Sequence, residues 1–103
     1  MKIRTEINGI DWGVDFTTNL TEVLFGRNGL CSYEENCIYI LGNMSPQKTK
    51  LTLIHELTHA YDFQYGLRNR KSDSEPEDLA QFVSLYGEQI IKKANELLSE
   101  ITK

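Results

Sequence analysis

The chain has 103 residues, 40% of them hydrophobic and 25% charged, and a net charge of −4. That suits one soluble domain with a modest core, and the acidic balance argues against nucleic acid or an anionic membrane as the main partner. Two cysteines are too few for a disulfide framework, no run approaches the ~18 apolar residues of a membrane span, and the first residues lack the apolar region of a signal peptide.

The expectation is therefore a cytoplasmic single-domain protein, a monomer by default, with no nucleic-acid or membrane partner. Cys31 and Cys37 read as small apolar strand residues. The basic cluster Arg68, Arg70 and Lys71 reads as part of a solvated loop.

Residues 1–44 read as mainly β. Lys2 to Ile7 and Ile10 to Phe16 flank Asn8-Gly9, the pair favoured in type I′ hairpin turns. A less regular stretch leads through Arg27-Asn28-Gly29. A second hairpin is expected from Leu30–Tyr33, across Glu34-Glu35-Asn36, into Cys37–Leu41.

Residues 45–66 read as a helix, with Ser45 as N-cap, Pro46 in the first position and Gly66 as the stop. Its expected core row is Leu51, Ile54, Leu57, Tyr61 and Tyr65. After a polar loop over Leu67 to Asp73, a last helix spans 74–101, opening on a capping-box pattern, Ser74 and Glu77. Its expected core row is Leu79, Val83, Tyr86, Ile90, Ala94, Leu97 and Ile101.

The 45–66 helix carries His55-Glu56-Leu57-Thr58-His59, an H-E-x-x-H run that uses both histidines of the chain. Two His four residues apart sit one helical turn from each other, about 6 Å along the axis, so both imidazoles can reach one metal ion. Glu56 stands beside them, placed to act as general base on a water. The pair points away from the apolar row, which weakens a reading as buried core histidines.

A catalytic zinc site takes three protein ligands and leaves a fourth position open. With no third His, the remaining ligand is a carboxylate or a thiolate. The metzincin arrangement needs a His ten residues after the first, and that position is Tyr65. Glu75 and Glu77 open the last helix. Helical phase favours Glu77, which shares a face with the small residues Ala80, Ser84 and Gly87, whereas Glu75 aligns with Leu79, Phe82 and Tyr86. Asp62 lies on the His face and is better placed to orient a ligand than to be one.

His55 to Ala60, followed by Glu77-Asp78-Leu79-Ala80-Gln81, resembles the HExxH plus ExxA(D/N) pair of gluzincin metallopeptidases. The nearest likeness is to small phage- or mobile-element-type proteins of the ImmA/IrrE kind and to minigluzincins. The resemblance covers roughly residues 30 to 90. It implies an α+β, zincin-like minimal domain in which a small, mainly antiparallel sheet packs on an HExxH active-site helix and a C-terminal helix.

It also implies Zn2+ held by His55, His59 and Glu77, and a strand along the cleft rim, either Cys37 to Leu41 or Leu30 to Tyr33. Gln81 departs from the usual Asp or Asn. The expected function is a zinc metallopeptidase, an endopeptidase acting on a protein or peptide substrate through a zinc-activated water. Tyr86, Tyr61 and Tyr39 are candidate donors to the transition state.

A reading from another class is a zinc-stabilised, catalytically silent protein-binding module, since small domains recruit metal for stability. A latent enzyme, its cleft covered by residues 99–103 or by a partner, is a third.

Overall fold

The computed structural model describes residues 1–66 and 76–101, with side chains for 1–66 and 79–101. It is a small α+β domain. Strands β1 (Lys2–Ile7), β2 (Ile10–Thr17), β3 (Gly29–Ser32) and β4 (Cys37–Leu41) form one sheet in the order β1-β2-β4-β3. Helix α1 spans Pro46–Gln64. Helix α2 (Pro76–Phe82), a π-helical turn (Val83–Gly87) and α3 (Glu88–Ile101) form one interrupted helix.

Both hairpins form as the turn residues dictate. Asn8 and Gly9 take φ of 54° and 75°, the left-handed pair that a type I′ turn requires, and Ile7 faces Ile10 across it. The second hairpin pairs Ser32 with Cys37. The sheet is nevertheless mixed, because β4 returns inside its hairpin and lies parallel to β2, with Val14 beside Ile38. That leaves β3 at the sheet edge. Cys31 and Cys37 are free thiols on opposite faces, since Cys31 pairs with Ile38 and Cys37 with Ser32.

One face of the sheet supplies Ile7, Trp12, Val14, Ile38 and Ile40 to the core, and the helices supply Leu53, Leu57, Ala60, Ile90, Ala94 and Leu97. Ser45 caps α1 by accepting from the Lys48 N–H at 3.2 Å. At the other end of α1, Gln64 Oε1 accepts from Trp12 Nε1 at 2.7 Å, and the Gln64 carbonyl accepts from Asn8. The helix is thus tied at its C-terminal end to the first hairpin.

Both expected core rows hold except at their N-terminal ends: Leu57, Tyr61, Ile90, Ala94 and Leu97 are buried, and Ile54, Tyr65 and Tyr86 pack against the core. On α1, Leu51 is 61% exposed, and the buried stripe runs through Thr49, Leu53, Leu57 and Ala60. The helix turns Leu53, not Leu51, towards the sheet. In the last helix Leu79 and Val83 are each 55% exposed, whereas Phe82 is 6% exposed. A π turn holds one residue more than an α turn, so residues ahead of it are turned by about 100° relative to those after it. Phe82 and Tyr86 thereby take the face that Ile90, Ala94 and Leu97 continue. Gly87, a poor helix former, and the Ser84 hydroxyl bonded to the Gln81 carbonyl at 3.0 Å both weaken the regular helix there.

The expected loop over Leu67 to Asp73 and the cap at Ser74 lie outside the described residues. Among the described residues, no helix is long and apolar enough to cross a membrane.

Candidate metal centre

His55 and His59 lie on the outer side of α1, opposite its buried stripe, and both rings are exposed. Their Nε2 atoms face each other at 3.3 Å, with ring centroids 4.9 Å apart and planes at 78°. Two nitrogens each ~2.0–2.1 Å from a tetrahedral zinc ion are ~3.3 Å apart. Without a metal, the same geometry allows one neutral ring to donate a hydrogen bond to the other.

Glu56 follows His55 by one residue and is therefore turned about 100° around the helix, inward beneath β3. It is only 7% exposed, and among the described residues its carboxylate has no hydrogen-bond or ion-pair partner. Burial raises its pKa above the ordinary carboxylate range, opposed by the nearby positive charge of His55, His59 and Arg27. A buried, unpartnered carboxylate is costly, and such groups cluster where chemistry or a ligand needs them.

The strand above makes room for it. A Cβ on Gly29 would lie 2.7 Å from Thr52 Cγ2 and 3.0 Å from both Cγ and Oε2 of Glu56. Gly29 has no positive φ, so close approach, not backbone freedom, is what glycine supplies at this position.

His55, Glu56 and His59 line one wall of an open cavity of about 320 Å3, with Leu30, Cys31 and Tyr33 of the β3 region along the other and Arg27 beside them. A second hollow continues past His55 and Glu56 towards Asn28, Leu51 and Thr52. Of the two strands expected near a cleft, β3 is the one that lines this cavity. Burial, with Glu56 next in weight, pushes the Cys31 thiol up to about 12, so it is protonated in the metal-free protein at neutral pH.

The structure brings His55, Glu56 and His59 together. Asp62 is half-buried on α1 and is not among the cleft-lining residues. Gln81 is exposed on α2. Tyr86 packs its ring against Tyr65 at 4.4 Å, Phe82 at 5.6 Å and Tyr61 at 6.2 Å, which places it in an aromatic cluster. Tyr39 donates to Glu35 on the opposite face of the sheet from Cys31.

Glu77 belongs to the first turn of α2, with its side chain outside the described residues, and Glu75 lies outside them altogether. Ala80 and Ser84, invoked for a close helix approach, are exposed. Among the described residues no group of three His, Cys, Asp or Glu is arranged to hold a metal.

Sequence reasoning did not single out Arg27 or Gly29 as site residues, and it reached Tyr33 only as the end of a candidate rim strand. Only Gly29 left a local sign, a glycine at the start of a strand. Compared with protein-family models, curated proteins and solved structures, the chain matches none.

Proposed function

We propose that this chain is a zinc-dependent peptidase of the small gluzincin type. The observation that carries the reading is the convergence of the His55 and His59 Nε2 atoms to 3.3 Å beside a buried Glu56 that has no hydrogen-bond partner among the described residues. His55 and His59 would hold the metal, and Glu77 is the favoured third ligand, with Glu75 as the other candidate. Bound zinc supplies a Lewis acid that polarises a carbonyl and lowers the pKa of a water.

The chain's own groups do the rest. Glu56, whose pKa burial raises, would take a proton from the attacking water and return it to the leaving amine. Strand β3 has no second strand partner among the described residues, so its outer edge could receive an extended peptide, a way for a small domain to bind substrate without two deep walls. Leu51, exposed one turn before His55, adds apolar surface on one side of the cleft.

The test uses untagged protein. Metal content is measured in wild type, His59→Ala and Glu77→Ala, and cleavage of an unfolded protein substrate in wild type and Glu56→Gln. One zinc per wild-type chain, loss of zinc in both ligand variants and loss of cleavage without loss of zinc in Glu56→Gln support the reading. Full zinc occupancy in Glu77→Ala sinks the ligand assignment. Zinc binding with no cleavage by wild type replaces the enzyme with a zinc-stabilised binding module.

A further inference from the structure

Arg27 is the one Lys or Arg among the described residues lining the cleft. It has no ion pair among the described residues, and its field reaches Glu56 without offsetting the effect of burial there. Its backbone is held on both sides. The Arg27 N–H donates to the Leu24 carbonyl at 3.0 Å, the Gly26 N–H to the Leu20 carbonyl at 2.8 Å, and the Asn28 carbonyl accepts from Leu41 at 2.8 Å. Phe25, two residues earlier, is 67% exposed at φ 53°, a left-handed conformation that a bulky residue rarely adopts. This tight turn delivers Arg27 to the mouth of the cleft.

We propose that Arg27 selects the substrate by receiving one of its carboxylates, so that the cleft favours peptides with Asp or Glu close to the scissile bond. A guanidinium with no ion pair among the described residues suits a carboxylate in a bidentate arrangement. The cleft continues beyond His55 towards Leu51 and Thr52, which lets a chain pass through and favours an acidic side chain over a terminal carboxylate. The inference rests on the peptidase reading for its substrate class, but the binding it requires can be measured separately.

The probes are decapeptides differing only by Glu, Gln or Lys at one scanned position, each made with a free and an amidated C-terminus. Binding is measured on zinc-loaded Glu56→Gln protein with and without Arg27→Gln, and cleavage on zinc-loaded wild type with and without it. At the selected position Glu outranks Gln by about ten- to hundredfold, the range of a charge-assisted hydrogen bond. The preference weakens with salt, falls to near one in Arg27→Gln and partly returns in Arg27→Lys, while zinc affinity is unchanged.

Equal binding of Glu and Gln peptides, or a preference that survives Arg27→Gln, overturns the inference. A preference lost on amidation overturns the side-chain assignment in favour of the terminal carboxylate. Arg27-dependent binding of Glu peptides without cleavage of any peptide supports the carboxylate contact at Arg27 and overturns the peptidase reading together with the placement beside a scissile bond.

Discussion

Gly29→Ala probes the contact that seats Glu56. The added Cβ would stand 2.7 Å from Thr52 Cγ2, about 0.7 Å inside the 3.4 Å at which ordinary contact begins, and 3.0 Å from Glu56 Oε2. Thr52 is β-branched and stiff on a helix, so it yields little. Either β3 lifts from α1 or the Glu56 side chain swings away. Overpacking of this kind costs ~1–3 kcal/mol, and the stiffer unfolded chain returns ~0.4–1 kcal/mol.

The net loss is ~1–2 kcal/mol, a fall in Tm of roughly 5–15 °C for a domain of this size. Gly42→Ala is the control, because its Cβ would meet Phe16 and Thr17 backbone only at 3.7 Å and the residue has no positive φ. It should be neutral or slightly stabilising. Denaturant melts of both variants give the difference directly, and on the proposed peptidase reading zinc-dependent cleavage should fall further in Gly29→Ala, since a ~1 Å misplacement of a catalytic group can cost up to ~100-fold. A Gly29→Ala protein as stable and as active as Gly42→Ala would refute this account of how β3 seats Glu56.

Zinc at 100 times its Kd should stabilise the wild type by ~2.7 kcal/mol, a Tm gain of about 10 °C or more that His55→Ala and His59→Ala both abolish; an equal gain in either variant argues against the site. In metal-free protein, Glu56→Gln should raise Tm with a definite pH dependence. A carboxyl whose pKa is raised by folding supports the fold below its ordinary value, and that support is lost as pH climbs through the raised value. The variant and wild type should therefore match near about pH 4 and separate towards pH 8 in favour of Gln, and a gap that does not change with pH rejects the burial argument.

Cys31, with its thiol raised to about 12, should react with iodoacetamide at pH 8 roughly 50-fold or more slowly than a free cysteine, and Glu56→Gln should speed it. An ordinary rate in wild type contradicts that. Phe82→Ala should cost ~3–5 kcal/mol and Val83→Ala less than ~0.5 kcal/mol, as urea melts would report. The reverse order would remove the π turn from the fold.

Both hairpins, the Ser45 cap and the α1 boundaries were legible because each rests on local chemistry. Asn8-Gly9 needs only its own left-handed preference, and Ser45-Pro46 needs only the first turn of the helix. The pairing of β2 with β4 was not legible, since a parallel neighbour is chosen by which edge the second hairpin presents. The core rows erred only at their N-terminal ends, at Leu51, Leu79 and Val83, for a related reason. Leu51 and Leu53 are equally apolar, and only the sheet decides which is covered, whereas the π turn at Val83–Gly87 moves every earlier residue out of the period that a sequence pattern assumes.

The same division holds at the centre. The closeness of His55, Glu56 and His59 followed from sequence alone, because a four-residue spacing on a helix puts two imidazoles within reach of one point. Tertiary structure decided what surrounds them. It laid Gly29 of the edge strand over Glu56, took the carboxylate out of water and turned Arg27 into the cleft. Burial and approach of this kind depend on segments far apart in the chain, and no local pattern encodes them.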